Sequence, residues 1–190
     1  MSEVEIYLKS YFGITNKEEL TRIAQLFKPQ KLKKGDFYLK IGSPCNKLSF
    51  ISTGLLRMFV STKEKEVTQW IASKGYFVTD LSSLIFQTPA RWTIQALNDC
   101  EIFTISRKEY VNIGNVLPDW NKLEKLFLAK CFTILEDRIF SHLSMSAEER
   151  YHFFFENNKE LFNQVPKQYL ASLLGMTPET FSRIRKKTMK

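Results

Sequence analysis

Two residues near the C-terminus, Glu179 and Arg183, carry groups able to read a base pair. A guanidinium can give two parallel hydrogen bonds to guanine, and a carboxylate can accept one from the amino group of cytosine. Their spacing of four puts them one turn apart on the same helical face. Thr177, Thr180, Ser182, Lys186 and Lys187 surround them with hydroxyl and ammonium groups. Such groups suit phosphate oxygens, which set register without reading sequence. The plainer alternative is a helical hairpin in which Glu179 and Arg183 only pair with each other, a contact worth about 0.2–0.5 kcal/mol. Charge favours the first reading, because residues 164–190 hold six cations against one acid in a chain of net charge +8. A patch of that kind attracts polyanions, and counterion release makes nucleic acid its natural partner.

Residues 167–187 contain what is needed to hold such a face in place. Ala171 is small enough for two helices to cross closely, and Gly175 can take the positive φ that ends the first of them. Leu170, Leu174, Met176, Phe181 and Ile184 supply apolar contacts at the crossing. Thr177 can cap the second helix, and Pro178 suits its first position, where no amide hydrogen is needed. The pattern predicts a helix-turn-helix with a recognition helix over 177–187.

Upstream, residues 118–143 lack glycine and internal proline and repeat apolar side chains at helical spacing in two stripes. Leu123, Phe127, Cys131 and Ile134 form one stripe, and Leu128, Phe132, Leu135, Ile139 and Leu143 the other. Two apolar faces call for two packing partners. The first stripe is expected to meet the same helix of a second copy, and the second to cover the chain's own β domain. A helix wholly buried within one chain is the alternative. A shorter helix over 146–157 begins with a capping box, Ser146 and Glu149. Phe153 and Phe154 are expected in a small C-terminal core.

The N-terminal half reads differently. Asn16 can cap a helix over 17–27 that Pro29 closes. Short apolar runs follow at 37–41, 48–52, 55–60, 67–71, 76–78, 93–96 and 101–105, most separated by turn residues such as Gly42-Ser43-Pro44 and Thr53-Gly54. That succession predicts an antiparallel jelly roll. The expected fold is therefore α+β, with a β sensor domain at 1–115, a connector and dimerisation helix at 116–144, and a DNA-binding domain at 145–190.

Composition narrows the alternatives. A hydrophobic fraction of 44% with 16 Phe gives ample core material. The first ten residues lack the apolar run of a signal peptide or membrane span, so a cytoplasmic protein is expected. Cys45, Cys100 and Cys131 are too far apart for a zinc or iron–sulfur site and read as reduced thiols. A metal enzyme of the cupin type would need clustered histidines, and residues 30–110 contain none. Neither a nucleophile elbow nor a Walker loop is present. No enzyme is expected.

The order of parts, ending in Gly175-Met-Thr-Pro-Glu-Thr-Phe-Ser-Arg-Ile184, resembles the cyclic-AMP receptor protein and Fnr family of bacterial transcription regulators. The resemblance implies a homodimer that reads an inverted-repeat operator on double-stranded DNA, with RNA polymerase as a further partner and no membrane. It assigns Glu179 and Arg183 to base-reading positions, although Pro178 replaces a residue that is often basic. Gly75-Tyr-Phe-Val-Thr-Asp-Leu81 is similar to the start of the family's phosphate-binding cassette. That places Gly75, Thr79, Asp80, Leu81, Arg91 and Trp92 around an effector. Asp80 falls where the family has an acid for the ribose hydroxyl, but an ungapped count puts Ala90, not Arg91, at the phosphate-binding arginine. No cofactor is called for; the effector is unknown, and cyclic AMP matches these residues poorly. An ion pair between Asp80 and Arg91 is the simpler reading. The alternative function is a cyclic-nucleotide-like ligand sensor or protein-interaction module that does not bind DNA.

Overall fold

The computed structural model describes residues 1–188; Met189 and Lys190, the last of the six tail cations, lie outside the described residues. Two helices open the chain, α1 (Glu3–Phe12) and α2 (Lys17–Ala24). The strands follow as β1 (Lys28–Leu32), β2 (Phe37–Leu39), β3 (Lys47–Thr53), β4 (Leu56–Ser61), β5 (Glu66–Ala72) and β6 (Phe77–Val78). After a short helix α3 (Leu81–Phe86) come β7 (Thr93–Ala96) and β8 (Cys100–Ser106). The helices α4 (Arg107–Val111), α5 (Trp120–Ser144), α6 (Ala147–Asn157), α7 (Leu161–Gln164), α8 (Lys167–Leu173) and α9 (Pro178–Thr188) complete it.

The strands form two four-stranded sheets ordered β1-β8-β3-β6 and β2-β7-β4-β5. Pairing is antiparallel, with Phe50 opposite Phe103 in β3–β8 and Phe37 opposite Gln95 in β2–β7. This is the expected jelly roll. Its turn at Gly54 (φ +93°) admits no side chain, since a Cβ there would lie 2.5 Å from Cys100 Sγ and 2.6 Å from Asp99 O.

Among the elements that the sequence reading lacks are α1 and β1. The first residues form α1, started by a reciprocal capping box between Ser2 and Glu5. Pro29 does not merely stop a helix but lies within β1, paired with Phe103. A proline is tolerated there because β1 is an edge strand, where one face of the ladder needs no amide.

Packing divides the chain into two compact units. The first comprises Met1–Met58 and Ala72–Phe132, the second Phe59–Ile71 and Thr133–Lys190, so α5 contributes to both. In the first unit, Phe12 of α1 stacks on Phe127 with ring centroids 4.5 Å apart and lies 4.9 Å from Trp120. Phe77 meets Phe127 edge-on at 5.0 Å. In the second unit the core is Tyr151, Phe162 and Phe181 with Leu170, Ala171 and Ile184. Phe153 is exposed and Phe154 only partly covered, 5.9 Å from Phe162. The expectation that both fill this core is thus corrected: the helix turns Tyr151 inward, and Phe153, two residues on, points away.

Candidate nucleic-acid interface and effector site

Alpha8 and α9 meet through a tight turn whose hydrogen bonds are those of a Schellman motif. Met176 N–H donates to Ala171 O at 3.0 Å and Gly175 N–H to Ser172 O at 3.1 Å. Gly175 adopts φ +66°, and a Cβ on it would come within 3.3 Å of His142 Cδ2. Gly175→Ala is therefore expected to cost about 1–2 kcal/mol from left-handed backbone strain alone, read as a lowered urea midpoint for the second unit. An unchanged midpoint would remove this account of the turn.

Alpha9 starts as its sequence suggests. Thr177 Oγ1 accepts from Thr180 N–H at 3.2 Å, satisfying one of the helix's first amides. Phe181 and Ile184 are buried on its inner side. Thr177, Glu179, Arg183, Lys186 and Lys187 are exposed, and Thr180 and Ser182 partly so. All seven expected side chains belong to this short segment, with the buried pair behind them. The amide of Glu179 itself and then the Thr177 hydroxyl hold the Glu179 carboxyl below its usual range. It therefore remains an ionised acceptor. Lys187 lies 3.5 Å from Glu148, both well exposed, a contact worth at most about 1 kcal/mol. Arg183 has no ion-pair partner among the described residues. The mutual pairing of Glu179 with Arg183 that a plain hairpin would show is not formed.

Three residues absent from the sequence reading fix this motif within the second unit. Arg150 of α6 donates to Leu174 O at 3.1 Å and to Met145 O at 2.6 Å. Arg138 of α5 donates to Leu173 O at 3.3 Å and to Gln69 O. Ser172 Oγ accepts from Thr68 N–H at 2.8 Å. The orphan carbonyls that end α8 are thus held by guanidinium groups. Periodicity gave no sign of them, because an arginine on an amphipathic helix reads as solvated surface.

On α5 the first stripe takes the covering role expected of the second. Phe127 is 0% exposed, and Leu123 and Cys131 pack against the same core, so this stripe covers the chain's own first unit. Ile134, at 37% exposure, is the only one of the four turned substantially to solvent. Phe127 is therefore not free to meet a second copy, because α1 and β6 occupy it, and Leu123 and Cys131 are partly covered by the same core. The open stripe is Leu128, Phe132, Leu135, Ile139 and Leu143, with Phe132 62%, Ile139 60% and Leu143 81% exposed.

At the expected effector site, Gly75 ends the turn into β6 and Leu81 begins α3. Asp80 is 2% exposed and caps α3 with its own carboxylate, Oδ1 accepting from Ser83 N–H at 3.1 Å. Its Oδ2 accepts from Arg91 N–H at 2.8 Å. The contact uses the main chain of Arg91 and not its guanidinium, which corrects the simple ion-pair reading. That guanidinium is exposed and sits 6.0 Å from the centre of the Trp92 ring. Thr79 Oγ1 donates to Lys47 O at 2.9 Å, and Ser83 Oγ accepts from Cys45 N–H at 2.9 Å. A cyclic nucleotide needs a free carboxylate for its ribose and an open helix start for its phosphate. Here one side chain, Asp80, occupies the helix start and spends both oxygens on main-chain amides. The residues present do not fit a cyclic nucleotide held in the family's manner. Saturating cyclic AMP is accordingly expected to leave the melting temperature unchanged, whereas a binder at a hundred times its Kd would add about 2.7 kcal/mol. A saturable rise would show that this network opens.

The described residues thus run from a jelly roll through a long helix to a helix-turn-helix. Residues 29–114 match the family described as the cyclic nucleotide-binding domain, and the fold extends over most of several solved structures. It is similar to the c-di-GMP-responsive global regulator CLP of Xanthomonas campestris, at 15% identity and a TM-score of 0.69 over 92% of each chain. FixK2 from Bradyrhizobium japonicum aligns at 18% identity and a TM-score of 0.72, over 86% of this chain and 84% of that one. The catabolite activator protein of Thermus thermophilus aligns at 21% identity and a TM-score of 0.58, over 94% and 86%. No curated protein sequence matches. No helix among the described residues is long and apolar enough to cross a membrane.

Proposed function

We propose that this chain is a homodimeric, cytoplasmic transcription regulator that reads an inverted-repeat operator with α9. The observation that carries the reading is Arg183, without an ion-pair partner among the described residues, on an exposed cationic helix face backed by buried Phe181 and Ile184. Arg183 donates to guanine and Glu179 accepts from cytosine, while Thr177, Thr180, Ser182, Lys186 and Lys187 hold phosphates. Two copies associate through Leu128, Phe132, Leu135, Ile139 and Leu143, presenting two α9 helices about 34 Å apart, one duplex turn. RNA polymerase is the further partner of such a regulator. An effector acting on the β domain would have to displace the amides that now hold Asp80.

Selection from random duplex tests the reading. Enrichment of a two-fold symmetric site, with affinity that falls steeply as salt rises, is the expected result. Failure to enrich any sequence, with binding indifferent to salt, would overturn it and favour a protein-docking role for the C-terminal helices.

A further inference from the structure

Within the second unit, α8 is tied at adjacent residues to two different elements. Ser172 grips β5, its hydroxyl accepting from Thr68 N–H at 2.8 Å and donating to Glu66 O at 3.3 Å. Leu173 O accepts from Arg138 of α5, whose other guanidinium nitrogen bonds Gln69 O on the same strand. The Arg138 guanidinium also lies 5.5 Å from the centre of the Trp70 ring. Beta5 is the edge of its sheet, so its outward amides and carbonyls are open to partners of this kind.

The arrangement is a three-way joint. A guanidinium is a rigid planar fork whose donors point in fixed directions. Anchored on two carbonyls from different elements, it fixes their separation as well as their contact. Alpha8 is joined to α9 by the hydrogen-bonded turn at Gly175, and α5 carries the open apolar stripe. Any change at Arg138 therefore alters how α9 is held relative to the surface that would meet a second copy.

We infer that Arg138, assisted by Ser172, is a positioning residue that sets the distance between half-sites which the protein accepts. The inference rests on the DNA-binding reading above and deepens it. Arg138 touches no base in this account. It acts through α8, and its loss leaves the base-reading face of α9 intact.

The experiment compares the full-length chain with Arg138→Ala and Arg138→Lys. Affinity is measured for a single half-site and for inverted repeats whose spacer is lengthened or shortened one base pair at a time. The unmodified chain is expected to show a sharp spacer optimum. In Arg138→Ala, half-site affinity stays within about twofold while the optimal repeat loses roughly ten- to a hundredfold, the avidity of a matched pair. Repeats with other spacers change little, so the optimum flattens. Arg138→Lys behaves as the alanine variant does, since an ammonium cannot hold two carbonyls with a planar fork. If Arg138→Ala does not fold, Ser172→Ala reads the same joint from the α8 side and gives a smaller flattening. A uniform loss on half-site and all repeats would reduce Arg138 to a structural role, and a spacer profile like that of the unmodified chain would overturn the inference. A chain that binds no duplex at all before mutation would instead sink the DNA-binding reading beneath it.

Discussion

At micromolar concentration the unmodified chain is expected to be a dimer and Ile139→Glu a monomer. A two-fold interface presents each residue twice, so a penalty of only about 1.4 kcal/mol per copy raises the dissociation constant roughly a hundredfold. Burying a carboxylate without a partner costs at least that much. The side chain belongs to the open stripe and is 60% exposed in the single chain. Its replacement therefore breaks nothing within one copy, and the melting temperature of the monomer should hold. Leu126→Glu is the control, because helical spacing puts Leu126 on the opposite side of α5 and it is also exposed. Light scattering at micromolar concentration decides the matter. Equal molar masses for Ile139→Glu and the unmodified chain would rule this stripe out as the contact surface.

Arg183→Ala is expected to weaken binding to the preferred operator by about 1–3 kcal/mol, roughly five- to a hundred-and-fifty-fold. Discrimination at one base pair should fall with it. Lys186→Ala should instead weaken all duplexes about equally and lower the salt dependence, as a phosphate contact does. Arg183 makes no ion pair among the described residues, so its removal strands no buried charge. The loss can then be assigned to DNA. Equal weakening of preferred and random duplexes by Arg183→Ala would take the base-reading role away from this residue.

The helix-turn-helix was legible because its residue types admit few other arrangements. Gly175 at positive φ, Thr177 as cap, Pro178 at the helix start and Ala171 at the crossing each satisfy a local geometric need, and all four do so in the structure. The roles of the two α5 stripes were not legible for an equally physical reason. Both are apolar at the same spacing, and what separates them is Phe12, which stacks on Phe127 from α1. A reading that left the first twelve residues without structure had no partner to offer that stripe. Beta1 was missed because Lys-Pro-Gln-Lys-Leu lacks alternating apolar residues; its place is set by β8, not by its own side chains. At the effector site the acid was legible but not its occupation. Both oxygens of Asp80 accept from amides, those of Ser83 and Arg91, which residue types alone do not reveal.

The stacking of Phe12 against Phe127 also bears on how the chain is made. A ribosome adding about 5–20 residues per second would release the first helix roughly 6 to 23 seconds before the ring that covers it is synthesised. Throughout that interval the apolar side of the nascent N-terminus lacks its final shelter, so a stall between the two would leave a sticky intermediate for chaperones to guard.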